Sequence, residues 1–452
     1  LSSGDSADTD TLGNSEPEPK PEPRSNSKSK SKSKAKRKSQ PESEPKSEPK
    51  SEPNEPESPK PGPESDLEAE FNEPEPESAP IAEPELKVSA DPLKPYPWII
   101  TPVVDLLFVA GGAVWIVLLA NYSLIGTELP FDNSDPKKLI LLAVIYVSQH
   151  VFFDAHNIAT YFRLWGSAED REAFKFYRTW LFYAAIALFI LGVVVHSIIG
   201  TLVFWYLVVT FWHYSMQTFG VSLIYCLKRN YELNCFEREV FRTLMLVLSA
   251  YAIARFLVTQ QLAPYNLYGA AAPFWIPLNT RSAHLILQVI ISALATVSVV
   301  FAFVVIRKLI VNKRMLPLPV LMMLATMVAL ACTPREMNAL LWLYVPALYH
   351  ASQYVAVSLS YYVKEQGLPE GMNTWLIAKE VQKWPALNYF GKAILIGCTL
   401  YIVLPHLVQL VNLGGYDETI GLTFVVVNYH HFATDAAIWR LRDARVRKIL
   451  IA

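Results

Sequence analysis

From Trp98 almost to its end, the chain is a succession of ten apolar segments, each long enough, or nearly so, to cross a bilayer as a helix. Their limits are 98–121, 138–160, 177–198, 202–226, 238–260, 284–310, 317–333, 339–362, 391–412 and 419–439, the seventh being the shortest. In hydrocarbon every backbone polar group has to be satisfied inside the protein, so such segments fold as helices. The expected fold class is therefore all-α, a polytopic integral membrane bundle of about ten transmembrane helices over 94–452.

Loop charge checks the count independently. One set of connections carries Arg163, Arg171, Lys175 and Arg178, then Lys228, Arg229, Arg238 and Arg242, then Arg307, Lys308, Lys313 and Arg314. Lys364, Lys379, Lys383 and Lys392 follow, and Arg440, Arg442, Arg445, Arg447 and Lys448 close the chain. The alternate loops hold Glu128, Asp132 and Asp135, or Asp417 and Glu418, and little positive charge apart from Lys137 and Lys138. Alternation with every span puts both termini in the cytoplasm. The loop 261–283, apolar but too short to span, is expected at the interface or folded back as a lid.

Residues 1–93 differ in kind. To Pro95 there are 14 Lys+Arg against 22 Asp+Glu, leaving 26 against 19 for the rest, so the near-neutral total hides two oppositely charged parts. A Pro/Glu/Ser/Lys tail of this composition buries too little apolar surface to offset its ordering entropy and is expected to be a disordered tether. Its Ser/Lys block 27–38 can contact anionic lipid or another protein; nucleic acid is the poorer fit. Cys226, Cys235, Cys332 and Cys398 show no paired or zinc-type spacing and read as buried structural thiols.

Within the apolar segments, four histidines have a polar residue about one helical turn further on: His150 with Asp154, His213 with Gln217, His350 with Gln353, and His431 with Asp435. All four lie on even-numbered spans, which run from the outer face inward. They sit about 11–12 residues past the outer end, or roughly 17–18 Å down and near the midplane. Polar groups at that depth are expensive, so a level tier of them is a functional hypothesis by default. A metal-bound imidazole usually donates its second ring nitrogen to an acceptor, the part read for Asp154, Gln217, Gln353 and Asp435. His156 and His430 are further candidate ligands, while His196, His284 and His406 read as interfacial or structural. Asp105 and Arg255 are expected to find local partners. Trp205, Trp212, Tyr214, Tyr225, Tyr349 and Tyr354 either line a substrate slot or simply pack.

Imidazole suits several transition metals, and a set without thiolate is compatible with non-haem iron that leaves positions open for oxygen. The expected chemistry is oxygenase-type oxidation of a lipid-soluble molecule such as a polyene, quinol or acyl chain. Two alternatives use the same residues: a transporter or proton-coupled carrier with a His/Asp relay, and a haem-binding electron-transfer subunit. The string His150-Val151-Phe152-Phe153-Asp154-Ala155-His156, with His213 and Gln217 and with Tyr429-His430-His431, resembles the Brp/Blh-type membrane β-carotene dioxygenases. That resemblance implies iron at His150 or His156, His213, and His430 or His431, and cleavage of a carotenoid. The H-x-x-x-H and H-x-x-H-H boxes of membrane desaturases are absent.

Overall fold

A computed structural model describes residues 98–124, 136–260, 266–267, 270–271, 280–333, 339–366 and 379–451. The tail 1–93, read as disordered, and most of the loop 261–283 lie outside the described residues. The chain divides into Leu1–Pro84 and Glu85–Ala452, and every described residue belongs to the second part.

Among the described residues the structure is helical apart from a two-residue antiparallel pair, Asn266–Leu267 with Ala270–Ala271. The helices are α1 (Pro102–Val109), α2 (Gly112–Leu124), α3 (Pro136–Ser148), α4 (Ala155–Leu164) and α5 (Ala168–Ala173). Next come α6 (Tyr177–Val194), α7 (Ile199–Lys228), α8 (Cys235–Gln260), α9 (Thr280–Asn312) and α10 (Leu318–Cys332). The last are α11 (Ala339–Glu365), α12 (Trp384–Leu410), α13 (Tyr416–Ile438) and α14 (Ala444–Ile451). A π-helical turn, Gln149–Asp154, joins α3 to α4.

Among the described residues five helical stretches are long and apolar enough to cross a membrane: Tyr177–Val194, His196–Lys228, Cys235–Leu257, Arg281–Asn312 and Trp384–Leu410. A sixth results if α1 and the adjoining Gly112–Ala120, bent by 56°, count as one span. By that standard the expected ten is too many. The reason is physical. Apart from α10, which has only 15 residues, the segments that fall short are those carrying buried polar groups. These are Asp154, His156 and Asn157 beside the π turn, His350, Ser352 and Gln353 on α11, and Asn428, His431 and Asp435 on α13. Sixteen of the 23 residues of α13 are buried, whereas α6 buries only Gly192 and α9 exposes most of its residues. A helix enclosed by other helices need not be apolar all round. The outer surface is apolar instead, with Trp180, Val194, Leu285, Val289, Phe303 and Ile306 each more than half exposed. A continuous belt of this kind suits hydrocarbon better than water.

The bend between α1 and α2 sets the register of the site. Gly111 has φ of 93°, in the left-handed region, and a Cβ there would collide with the Thr326 side chain. The break frees carbonyls that a continuous helix would have used, and each finds a donor. Ser352 Oγ donates to Phe108 O (2.8 Å), Gln353 Nε2 to Val109 O (2.7 Å) and Thr326 Oγ1 to Ala110 O (3.1 Å). Asp105 and Arg255 take separate partners. The Asp105 carboxylate accepts the Ile99 and Ile100 N–H groups (2.5 and 3.0 Å) and the Tyr225 hydroxyl (2.6 Å), while Arg255 donates to Ala331 O (2.6 Å). Of the cysteines only Cys226 is buried; Cys235 and Cys332 are exposed, which corrects the reading of all four as core thiols.

At one end of the bundle a buried ion cluster ties α4, α5, α11 and α14 together. Arg163 pairs with Asp170 and lies 3.7 Å from Glu365. Arg445 reaches Asp170 at 3.1 Å and Glu365 at 2.7 Å.

Two outcomes follow. Gly111→Ala should cost about 1–3 kcal/mol through strain at positive φ, seen as a lower unfolding midpoint in detergent; an unchanged midpoint contradicts the role given to the break. Asp170→Asn leaves the Arg163 charge buried and should cost about 3 kcal/mol, with much of the loss recovered in the double variant Arg163→Met/Asp170→Leu.

Candidate metal centre

Four helices each bring one histidine to the same place: His156 from α4, His213 from α7, His350 from α11 and His431 from α13. None is more than 3% exposed. Measured between ring centres, His156 lies 4.6 Å from His431 and 5.0 Å from His350. His213 lies 4.7 Å from His350 and 5.2 Å from His431, closing the circuit. The rings meet edge to face, with interplanar angles of 69–88°.

The hydrogen bonds of these rings fix where their lone pairs point. Nδ1–H of His156 donates to the Phe153 carbonyl in the π turn, which leaves Nε2 as the basic nitrogen. Nδ1 of His431 lies 2.7 Å from Thr160 Oγ1, which is also 2.7 Å from the Tyr354 hydroxyl and 3.4 Å from the His156 carbonyl. Thr160 donates to that carbonyl and accepts from His431, so Nε2 of His431 is again the free base; these tautomers are assigned from the network. His350 stacks on Tyr214 (4.3 Å) and uses neither ring nitrogen. His213 packs on Phe432 (4.2 Å), with Nε2 3.8 Å from Asp435 Oδ2, too long for a hydrogen bond.

Five buried nitrogens therefore have no hydrogen-bond partner: Nε2 of His156, His213 and His431, and both nitrogens of His350. Each such group costs about 1–3 kcal/mol if nothing compensates it. In a neutral ring one of the two His350 nitrogens carries a proton, so at most four of the five are lone pairs; their neighbours are one another, and imidazole lone pairs do not satisfy imidazole lone pairs. A cation does. The ligand atoms of His156, His350 and His431 lie within 4.8 Å of one another, as do those of His213, His431 and Asp435. Metal–nitrogen bonds of about 2.0–2.1 Å allow at most roughly 4.2 Å between two ligands of one ion. Within each triad the side chains need to draw in by only a few tenths of an ångström, and the two triads share His431.

The sequence reading placed His150 in this group and His156 in reserve; the geometry reverses them. Nδ1–H of His150 donates to Asp154 Oδ2 (2.6 Å), and His150 lies in neither ligand group. The π turn between them is the cause. An extra residue rotates everything after it by about 100° relative to an unbroken α-helix, so the face that His156 presents is not the one regular periodicity gives. His430, the other reserve, donates Nε2–H to the Tyr177 carbonyl (3.0 Å) and stacks on Tyr161, tying α13 to α6.

The polar partners are also redistributed. Asp154 does accept from His150, one turn away. Gln217 instead donates to the backbone carbonyl of His350 (2.9 Å) and to Gln353 Oε1 (3.3 Å). Gln353 is committed to the broken helix at Val109. Asp435 lies by His213, on another helix, as well as by His431. Thr160, which gave no signal in the sequence, takes the acceptor part for His431. The remaining histidines keep to the periphery: His196 is 3.7 Å from Glu418, His406 stacks on Tyr416, and His284 is exposed.

Beside the histidines lies a cavity of about 280 Å³. His213, Tyr354 and Asp435 stand in its wall, and Trp212, Met216, Phe219, Val357, Trp439 and Leu450 line most of the rest. Of the six aromatic residues expected near the histidines, Tyr214 and Tyr354 pack against the rings and Trp212 lines this cavity, while Tyr225 serves Asp105, Tyr349 is buried in the apolar core and Trp205 is half exposed. Comparison with family models, characterised proteins and solved structures finds no match to this chain.

Proposed function

We propose that the chain is a polytopic membrane protein that holds one transition-metal ion, iron in our reading, on His156, His213, His350 and His431, with Asp435 beside them. The observation that carries it is the convergence of five unpartnered, fully enclosed imidazole nitrogens from four helices. The enclosed helices α11 and α13 cross the bilayer inside a sleeve of apolar helices, and the π-linked pair α3–α4 crosses beside them with α3 exposed. Both termini face the cytoplasm, on the strength of the loop charges.

The donor set guides the choice of metal. A structural zinc site closes with four protein ligands, whereas four histidines and a carboxylate suit an ion of higher coordination number. Haem is disfavoured because the rings meet at 4.6–5.2 Å, which leaves no width for a macrocycle between them. Bound there, non-haem iron supplies activation of dioxygen, the function no side chain here provides.

The protein's own residues would do the rest. His156 and His431 present their basic nitrogens because Phe153 and Thr160 accept from the opposite edges. Gln217 fixes the backbone at His350. The tryptophan- and methionine-lined cavity takes a long apolar substrate of the polyene, quinol or acyl-chain class and keeps water from the site.

Elemental analysis with an optical spectrum of detergent-purified protein tests the reading. Stoichiometric iron without a Soret band is expected, falling to near zero in His156→Ala and His350→Ala and unchanged in His150→Ala and His430→Ala. Protein free of metal overturns the proposal and leaves the proton-relay reading of the same residues. Thr160→Val should weaken metal binding about 10–100-fold while the fold persists, measured by competition with a chelator; unaltered affinity would remove Thr160 from the role given it.

A further inference from the structure

A second cavity, of about 270 Å³, lies elsewhere on α13. Along that helix Tyr416, Asp417, Ile420 and Phe424 line the second cavity, His431 belongs to the metal group, and Asp435, Ala436 and Trp439 line the first. The two spaces therefore occupy opposite sides of the histidine group along the helix axis. Phe424 precedes His431 by seven residues, about 10 Å of helix.

The inner end of this second cavity is built around His150. Its Nδ1–H is taken by Asp154, so Nε2 carries a lone pair, and that atom is buried without a hydrogen-bond partner. His150 belongs to no group of three or more possible ligand atoms among the described residues. An acceptor of this kind is satisfied by a ligand that donates a hydrogen bond. The outer end of the cavity carries another acceptor, the exposed carboxylate of Asp417. Between them the walls are aromatic: Tyr146, set edge-on to His150 at 4.5 Å, with Tyr344, Tyr401 and Phe424. The Tyr401 hydroxyl already accepts from Asn157 (2.7 Å). From Tyr416 to Phe424 the wall runs about 12 Å, room for one substituted ring.

Two acceptors at opposite ends of an aromatic slot select a flat ring with hydroxyl donors on opposite edges. We propose that this cavity binds a ligand of the hydroquinone class, with one hydroxyl donating to Nε2 of His150 and the other directed toward Asp417. The site does not depend on the metal reading.

The test is calorimetric titration of the purified full-length protein, under argon, with decylubiquinol and with the dimethyl ether of the same ring. The ether keeps the ring and its tail, adds two methyl groups and cannot donate. Saturable binding of the quinol is expected, with the ether at least about tenfold weaker. His150→Leu should lose quinol binding by a similar factor and Asp417→Asn by several-fold, with iron content unchanged in both. Equal binding of quinol and ether, no saturable binding, or full affinity in a folded His150→Leu protein each overturns the proposal. The two ligands are compared on the unaltered chain, so the result stands even where a variant fails to fold. Iron content measured on the same samples separates failure here from failure of the metal assignment.

Discussion

A polar side chain among apolar helices has to find its partner inside the protein, because the alternative is not water. The architecture follows from that constraint. The chain places its polar helices at the centre, where α13 is buried along most of its length, and surrounds them with helices whose outward faces are valine, isoleucine, leucine and aromatic. Many interior polar groups are then matched: Ser352, Gln353 and Thr326 to the carbonyls freed at Gly111, Asp105 to the amides of Ile99 and Ile100. Others have no hydrogen-bond partner, among them Asn157 Oδ1, Ser215 Oγ and Asn428 Oδ1, so what sets the imidazoles apart is that they stand together. In our reading they stand there for a cation.

The same constraint explains what could be read from the sequence. Helicity was legible because apolar runs of this length have few alternatives, and His213, His350 and His431 could be picked out because any polar residue in such a run is conspicuous. Two features were not legible. The π turn at Gln149–Asp154 leaves no mark in composition or periodicity, and it decides whether His150 or His156 faces the others. The break at Gly111 creates acceptors that no regular helix would offer, and it diverts Gln353 from the histidine one turn away. Pattern arguments assume regular helices. Both errors arose where a helix departs from regularity.

The span count fails for a related reason. Counting by apolarity identifies helices that face lipid, and of the helices that carry the clustered histidines only α7 is among them. Polar content lowers the apparent membrane character of α11 and α13 because they have been withdrawn from the hydrocarbon. The residues that make a site at this depth therefore weaken the signal by which the helix carrying it would be recognised.

The polar groups set against the histidines come mostly from other helices or from irregular backbone. Thr160 of α4 serves His431 of α13, Asp435 of α13 stands by His213 of α7, and Gln217 of α7 holds the His350 carbonyl of α11. Each contact crosses an interface, so the helices that contribute ligands are also the helices that hold one another's ligands in place. Removing one acceptor would therefore disturb a neighbour's ligand more than its own. Affinity at the centre then depends on how firmly four separate helices are clamped. That gives a structural part to the buried ion cluster of Arg163, Asp170, Glu365 and Arg445, which joins α4 and α11 beyond the site. His156 lies on α4 seven residues before Arg163, about 10 Å along the helix, so a shift at the cluster is carried to the metal group by a single rigid segment.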